Sequence, residues 1–95
     1  MEYLVKEMNR VLEDWREQYD ISRDIQDKFC LNSTGTLCWN DRVIGFLEEP
    51  SLEGADFDGE HITFNLSGAR QILLRVVWPE DEEPYIHSVF FGYIL

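Results

Sequence analysis

The apolar residues of this chain change their spacing partway along, from the period of a helix to the period of a strand, and no other feature restricts the fold as much. Leu4, Met8, Val11, Leu12, Trp15 and Tyr19 follow the spacing of one helical face, with Glu, Lys, Arg and Asn on the rest of the surface. The pairs Glu2 with Lys6, Arg10 with Asp14 and Arg16 with Asp20 lie one turn apart on the wet side, each worth about 0.2 to 0.5 kcal/mol. After Tyr19 the apolar positions move to Ile21, Ile25 and Phe29, out of phase with the earlier stripe, and Ser22 offers a fresh cap. The pattern predicts a break near Asp20, a short second helix from about Arg23 to Phe29, and then a polar turn at Asn32, Ser33, Thr34 and Gly35.

From Leu37 onward the period is two. Leu37 to Trp39 and Val43 to Leu47 flank Asn40 and Asp41, a two-residue hairpin connection that puts Leu37, Trp39, Ile44 and Phe46 on one core face. His61 to Leu66 alternates, with Ile62, Phe64 and Leu66 inward, and the preceding Asp58 and Gly59 signal a hairpin with a partner at about Leu52 to Phe57. Gln71 to Trp78 and Tyr85 to Leu95 supply the last two strands, separated by the Pro79 to Pro84 loop. Both are apolar on two faces, the pattern of central or covered strands, and the final apolar run must be buried in the sheet or against another molecule. The expectation is a single α+β domain over residues 1 to 95, with the helices packed on an antiparallel sheet of about five to six hairpin-connected strands.

Charge narrows the function. The chain has 19 acidic and 8 basic side chains, and the excess is regional: residues 1 to 30 carry eight acids and five bases, whereas residues 43 to 69 carry six acids and no base. A negative field repels nucleic-acid phosphates and attracts basic proteins or cations. Only Arg70 and Arg75 follow Arg42, so nucleic-acid binding lacks its electrostatic requirement. Charges at Glu2, Lys6 and Glu7 interrupt what a secretory signal needs as an apolar run, and no later stretch approaches the roughly 18 apolar residues of a membrane span, so a cytoplasmic protein without membrane contact is expected. In a reducing compartment Cys30 and Cys38 read as small buried thiols in preference to a disulfide, with a spacing that fits neither a redox motif nor a zinc knuckle. The glycosylation-like triplets at Asn32 and Asn65 carry no weight without secretion.

No motif carries chemistry. Placing Gly59 at the invariant glycine of a calcium loop puts Gly54 at the first ligand position and Asn65 where a bidentate Glu belongs, so neither a metal nor another cofactor is assigned. His61 stands beside Asp58 and Glu60 but lacks a nucleophile and an oxyanion donor, and His87 reads as a structural histidine in an apolar strand. Trp15, Trp39 and Trp78 fall on apolar sides and read as core, and Ser67 to Arg70 lacks the lysine and helix of a phosphate loop. The sequence therefore points to a non-enzymatic, inhibitor or immunity-type protein that neutralises a basic target such as a nuclease. Its candidate contact residues are Glu48, Glu49, Glu53, Asp56, Asp58 and Glu60, joined by Glu80, Asp81, Glu82 and Glu83 if both acidic loops share one end of the sheet. The alternatives are a structural subunit associating through its apolar C-terminal strand, as a homodimer for instance, and a divalent-cation module.

Overall fold

The computed structural model describes residues 2–21, 28–32, 36–46 and 51–93. Helix α1 spans Glu2–Tyr19 and buries Leu4, Val5, Met8 and Leu12, with Val11 and Trp15 packed alongside. Asp20 ends it: its φ of 54° is left-handed, and the Ile21 N–H donates to the Arg16 carbonyl at 3.1 Å, closing a Schellman-type turn with Ile21 buried behind it. Arg16 departs from its expected place on the wet side. It is 4% exposed and pairs with Glu13 at 3.3 Å.

Among the described residues seven strands follow, in two antiparallel sheets rather than one. The first is formed by β1 (Phe29–Leu31), β2 (Leu37–Trp39) and β3 (Arg42–Gly45), in that order. The second runs β4 (Leu52–Phe57), β5 (His61–Leu66), β6 (Arg70–Val77) and β7 (Tyr85–Tyr93), a simple up-and-down meander. The second helix expected to end at Phe29 is not matched: Phe29 opens β1, and residues 22–27 lie outside the described ones. Asn9 explains how so short a strand is held. Its side-chain amide donates to the Phe29 carbonyl at 2.9 Å and accepts the Phe29 N–H at 2.8 Å, so the helix supplies the hydrogen bonds a further strand would give and covers the edge.

The Asn40–Asp41 hairpin forms as its sequence predicts, with both residues at positive φ (52° and 65°) and Trp39 opposite Arg42. Phe46 is a correction. A bulge at Ile44, between the Leu37–Gly45 and Cys38–Val43 pairings, shifts the alternation, and Phe46 is 75% exposed instead of buried. A second correction concerns β7, which is an edge strand and not a central one: Ile86, Val89 and Phe91 pack on the core while Phe90 (65%) and Tyr93 (70%) are exposed. The bulge at His87, extra between the Arg75–Ser88 and Val76–Ile86 pairs, turns that histidine out to solvent instead of into a structural role.

One core serves both sheets. Phe29, Leu37 and Trp39 from the first meet Ile62, Phe64, Leu66, Ile72, Leu74 and Val76 from the second beneath the helix, each large side chain contributing about 1.5–3 kcal/mol on burial. Phe29 joins the sheets through edge-on contacts to Trp39 (4.9 Å) and Phe64 (5.7 Å), and Trp15 reaches Phe57 at 6.0 Å. The sheets also meet at Gly45. A Cβ there would stand 2.7 Å from the Phe91 ring, so β3 approaches β7 through packing and not through a hydrogen-bonded ladder. Among the described residues, no helix is long and apolar enough to cross a membrane.

Candidate acidic interface

In an up-and-down meander alternate connections return to the same end. The β4–β5 turn (Asp58 to Glu60) and the β6–β7 loop (Trp78 to Pro84) therefore share one end of the four-stranded sheet. That end carries Asp58, Glu60, Glu80, Asp81, Glu82 and Glu83, all exposed, with Asp56 beside them on the outward face of β4, opposite Thr63.

The turn is ordered by its own acid. Asp58 Oδ1 accepts the main-chain N–H of His61 at 2.6 Å and of Glu60 at 2.8 Å, and these bonds hold the Asp58 carboxyl below the usual aspartate range. Gly59 sits at φ 96°, where it alone among common residues is unstrained. The His61 imidazole lies 3.9 Å from Asp58 Oδ2, a long electrostatic contact.

Trp78 links the two acidic segments. It was expected in the core, yet it is 48% exposed, and its indole N–H donates to the Gly59 carbonyl at 2.6 Å. The Val76 N–H donates to the Glu60 carbonyl at 2.7 Å, extending the β5–β6 ladder into the turn. The outcome is an acidic end of the sheet that also carries a half-exposed aromatic ring fixed by one hydrogen bond.

The remaining predicted acids stand apart. Glu53 occupies the bulge between the Leu52–Leu66 and Gly54–Asn65 pairs, five residues before Asp58 and so about 17 Å along the strand from it. Glu48 and Glu49 lie outside the described residues. The ion pairs of Arg10 with Glu7 and Asp14, and of Arg16 with Glu13, stay on the helix and leave the rim acids alone. Arg75, opposite His61 and Ser88, is the nearest cation in the sheet register.

Sequence reasoning missed Trp78 as part of this surface. The signal was Pro79 directly after it, which ends the strand and leaves the preceding side chain at the mouth of the loop. Among the described residues, no group of three or more His, Cys, Asp and Glu side chains converges as a metal site would require. No protein-family model, curated protein or solved structure matches the chain.

Proposed function

We propose that the chain is a small, non-enzymatic inhibitor or immunity-type protein that binds a basic protein target, such as a nuclease toxin or defence nuclease, through its acidic rim. One observation carries the reading: the two loops holding Asp58, Glu60, Glu80, Asp81, Glu82 and Glu83 turn at one end of the sheet, with Asp56 adjoining. Carboxylates gathered on one rim raise the association rate of a cationic partner and mimic the phosphates its cleft would otherwise hold. Trp78 adds a rigid, partly apolar anchor of the kind that dominates interface energetics.

The test begins with capture of partners from the native host's lysate at low and high salt, the expected catch being a protein of high isoelectric point released by salt. Glu80, Asp81, Glu82 and Glu83 are then changed together to Gln or Asn, which neutralises the loop while leaving the Asp58 turn intact. Association with that partner should slow by about 10-fold or more at low salt and lose most of its ionic-strength dependence. An on-rate that is the same for both proteins at every salt concentration removes the proposal.

A second reading rests on β7. This nine-residue edge strand carries no charged residue and exposes Phe90 and Tyr93, whereas the other edge, β4, is protected by its bulge and by Glu53 and Asp56. Association of two copies through this edge predicts a stable dimer in sedimentation at micromolar concentration, and a strict monomer excludes it.

A further inference from the structure

The β1–β2 register sets Cys30 directly opposite Cys38. The spacing matches no redox motif, and the strand bearing Cys30 was not expected. The flanking main-chain bonds, Asn40 N–H to the Lys28 carbonyl and Asn32 N–H to the Thr36 carbonyl, fix the alternation of the ladder and make Cys30 and Cys38 a hydrogen-bonded pair. Such pairs have Cα atoms about 5.5 Å apart, inside the range of about 4.4 to 6.8 Å that a disulfide spans. Both thiols are free, and the Cys38 thiol points its proton to the Thr36 carbonyl at 3.9 Å.

Their surroundings differ. Cys38 is buried, whereas Cys30 is half-exposed and lines an open cleft between α1 and β1 with Val5, Lys6, Asn9 and Lys28. Lys6 and Lys28 are the only two lysines in a chain of net charge −11. Both lysines thus line the cleft onto which Cys30 opens.

We propose that Cys30 and Cys38 form a reversible dithiol–disulfide site, oxidised by a small anionic disulfide of the glutathione class that enters the Lys6–Lys28 cleft. The Cys30 sulfur, as thiolate, attacks one sulfur of the small disulfide; that S–S bond breaks, and one thiol leaves with the proton Cys30 gave up. The Cys38 sulfur, losing its proton in turn, then attacks the Cys30 sulfur of the mixed disulfide, the protein S–S bond forms, and the second small thiol leaves. Two protein thiols are oxidised by two electrons and one small disulfide is reduced to two thiols. Cys38 needs no access to solvent, because its electrophile arrives on the opposing strand. Burial and the neighbouring Cys38 push the Cys30 thiol up, so its thiolate fraction is small and its attack on a disulfide slow.

The probe is oxidised glutathione added to the folded protein, followed by intact mass and peptide mapping. The wild type should lose two hydrogen masses, yield a Cys30–Cys38 cross-linked peptide, and recover with dithiothreitol. Cys38→Ala should stop at a single glutathione adduct on Cys30, and Cys30→Ala should stay unmodified while folded. Cystamine, a cationic disulfide, should react several-fold more slowly than glutathione disulfide, and the Lys6→Gln, Lys28→Gln double variant should abolish that preference. Accumulation of one or two glutathione adducts on the wild type, cross-linked dimers in place of the internal bridge, or an unmodified folded protein would each overturn the proposal. Should Cys38→Ala fail to fold, as judged by circular dichroism, the wild-type peptide map decides alone.

Discussion

Replacing Gly45 with Ala tests the seam between the two sheets. The added methyl would stand 2.7, 2.9 and 3.1 Å from Cδ1, Cε1 and Cγ of Phe91, whereas carbon atoms in contact settle at about 3.5–4.0 Å. The offending atoms include Cγ, next to the backbone, so the ring cannot escape by a swing of its tip. It must change rotamer or move β7, which is fixed to β6 by the Ile72–Phe91 pair. Overpacking of this kind costs about 1–3 kcal/mol, and removing a glycine from a strand returns about 0.5–1 kcal/mol, so the net loss should fall between about 0 and about 2.5 kcal/mol, centred on about 1 kcal/mol. For a domain of this size each kcal/mol moves Tm by about 4–8 °C, a shift that calorimetry or urea unfolding with an unchanged slope resolves easily. Gly54→Ala is the matched control, because its new methyl meets nothing nearer than Asn65 Nδ2 at 3.9 Å. Phe91→Leu should recover part of the loss, with a coupling energy above about 0.5 kcal/mol between the two positions. If Gly45→Ala proves as stable as Gly54→Ala, or the two changes simply add, the sheets do not meet where described.

Three further outcomes follow from the same contacts. Asn9→Ala removes both main-chain bonds to Phe29 and should cost about 1–3 kcal/mol in urea unfolding, with faster amide exchange concentrated at Phe29 to Leu31. Asp20→Gly relieves a left-handed aspartate and withdraws an anion from the negative end of the helix, so it should raise stability by about 0.5–1 kcal/mol in the same assay. The Asp58 carboxyl titrates below its unfolded value, so its contribution is fully present above the ordinary aspartate range and is lost as pH falls through the depressed value. Asp58→Asn should therefore flatten the acid limb of a stability-versus-pH curve, its deficit being full at neutral and alkaline pH and closing as pH falls through the depressed value.

Much of the fold was legible because single residues decide it. β5 reads directly from Ile62, Phe64 and Leu66, since one buried face forces strict alternation, and the Asn40–Asp41 and Asp58–Gly59 turns follow from their tolerance of positive φ. β1 was hidden because Ile21, Ile25 and Phe29 fall at helical spacing, and what makes Phe29 a strand residue is an amide 20 positions earlier in α1. Bulges misled in the same manner: one extra residue at Ile44 and one at His87 each reverse the faces downstream, and no side-chain type marks a bulge in advance. At the candidate interface each carboxylate was visible in the sequence, and the meander's parity brought the two loops to one end. The opposition of Cys30 and Cys38 was not visible, because it depends on the strand that was missed.

The bond from the Trp78 indole to the Gly59 carbonyl also makes the acidic rim optically distinct. Trp39 is shielded in the core and Trp15 is half-covered, so the red edge of the emission spectrum belongs chiefly to Trp78. The carboxylates around it concentrate caesium and exclude iodide, so the two ions quench that fluorescence unequally and the inequality measures the local field. A docked protein that displaced the caesium would announce its arrival without any label.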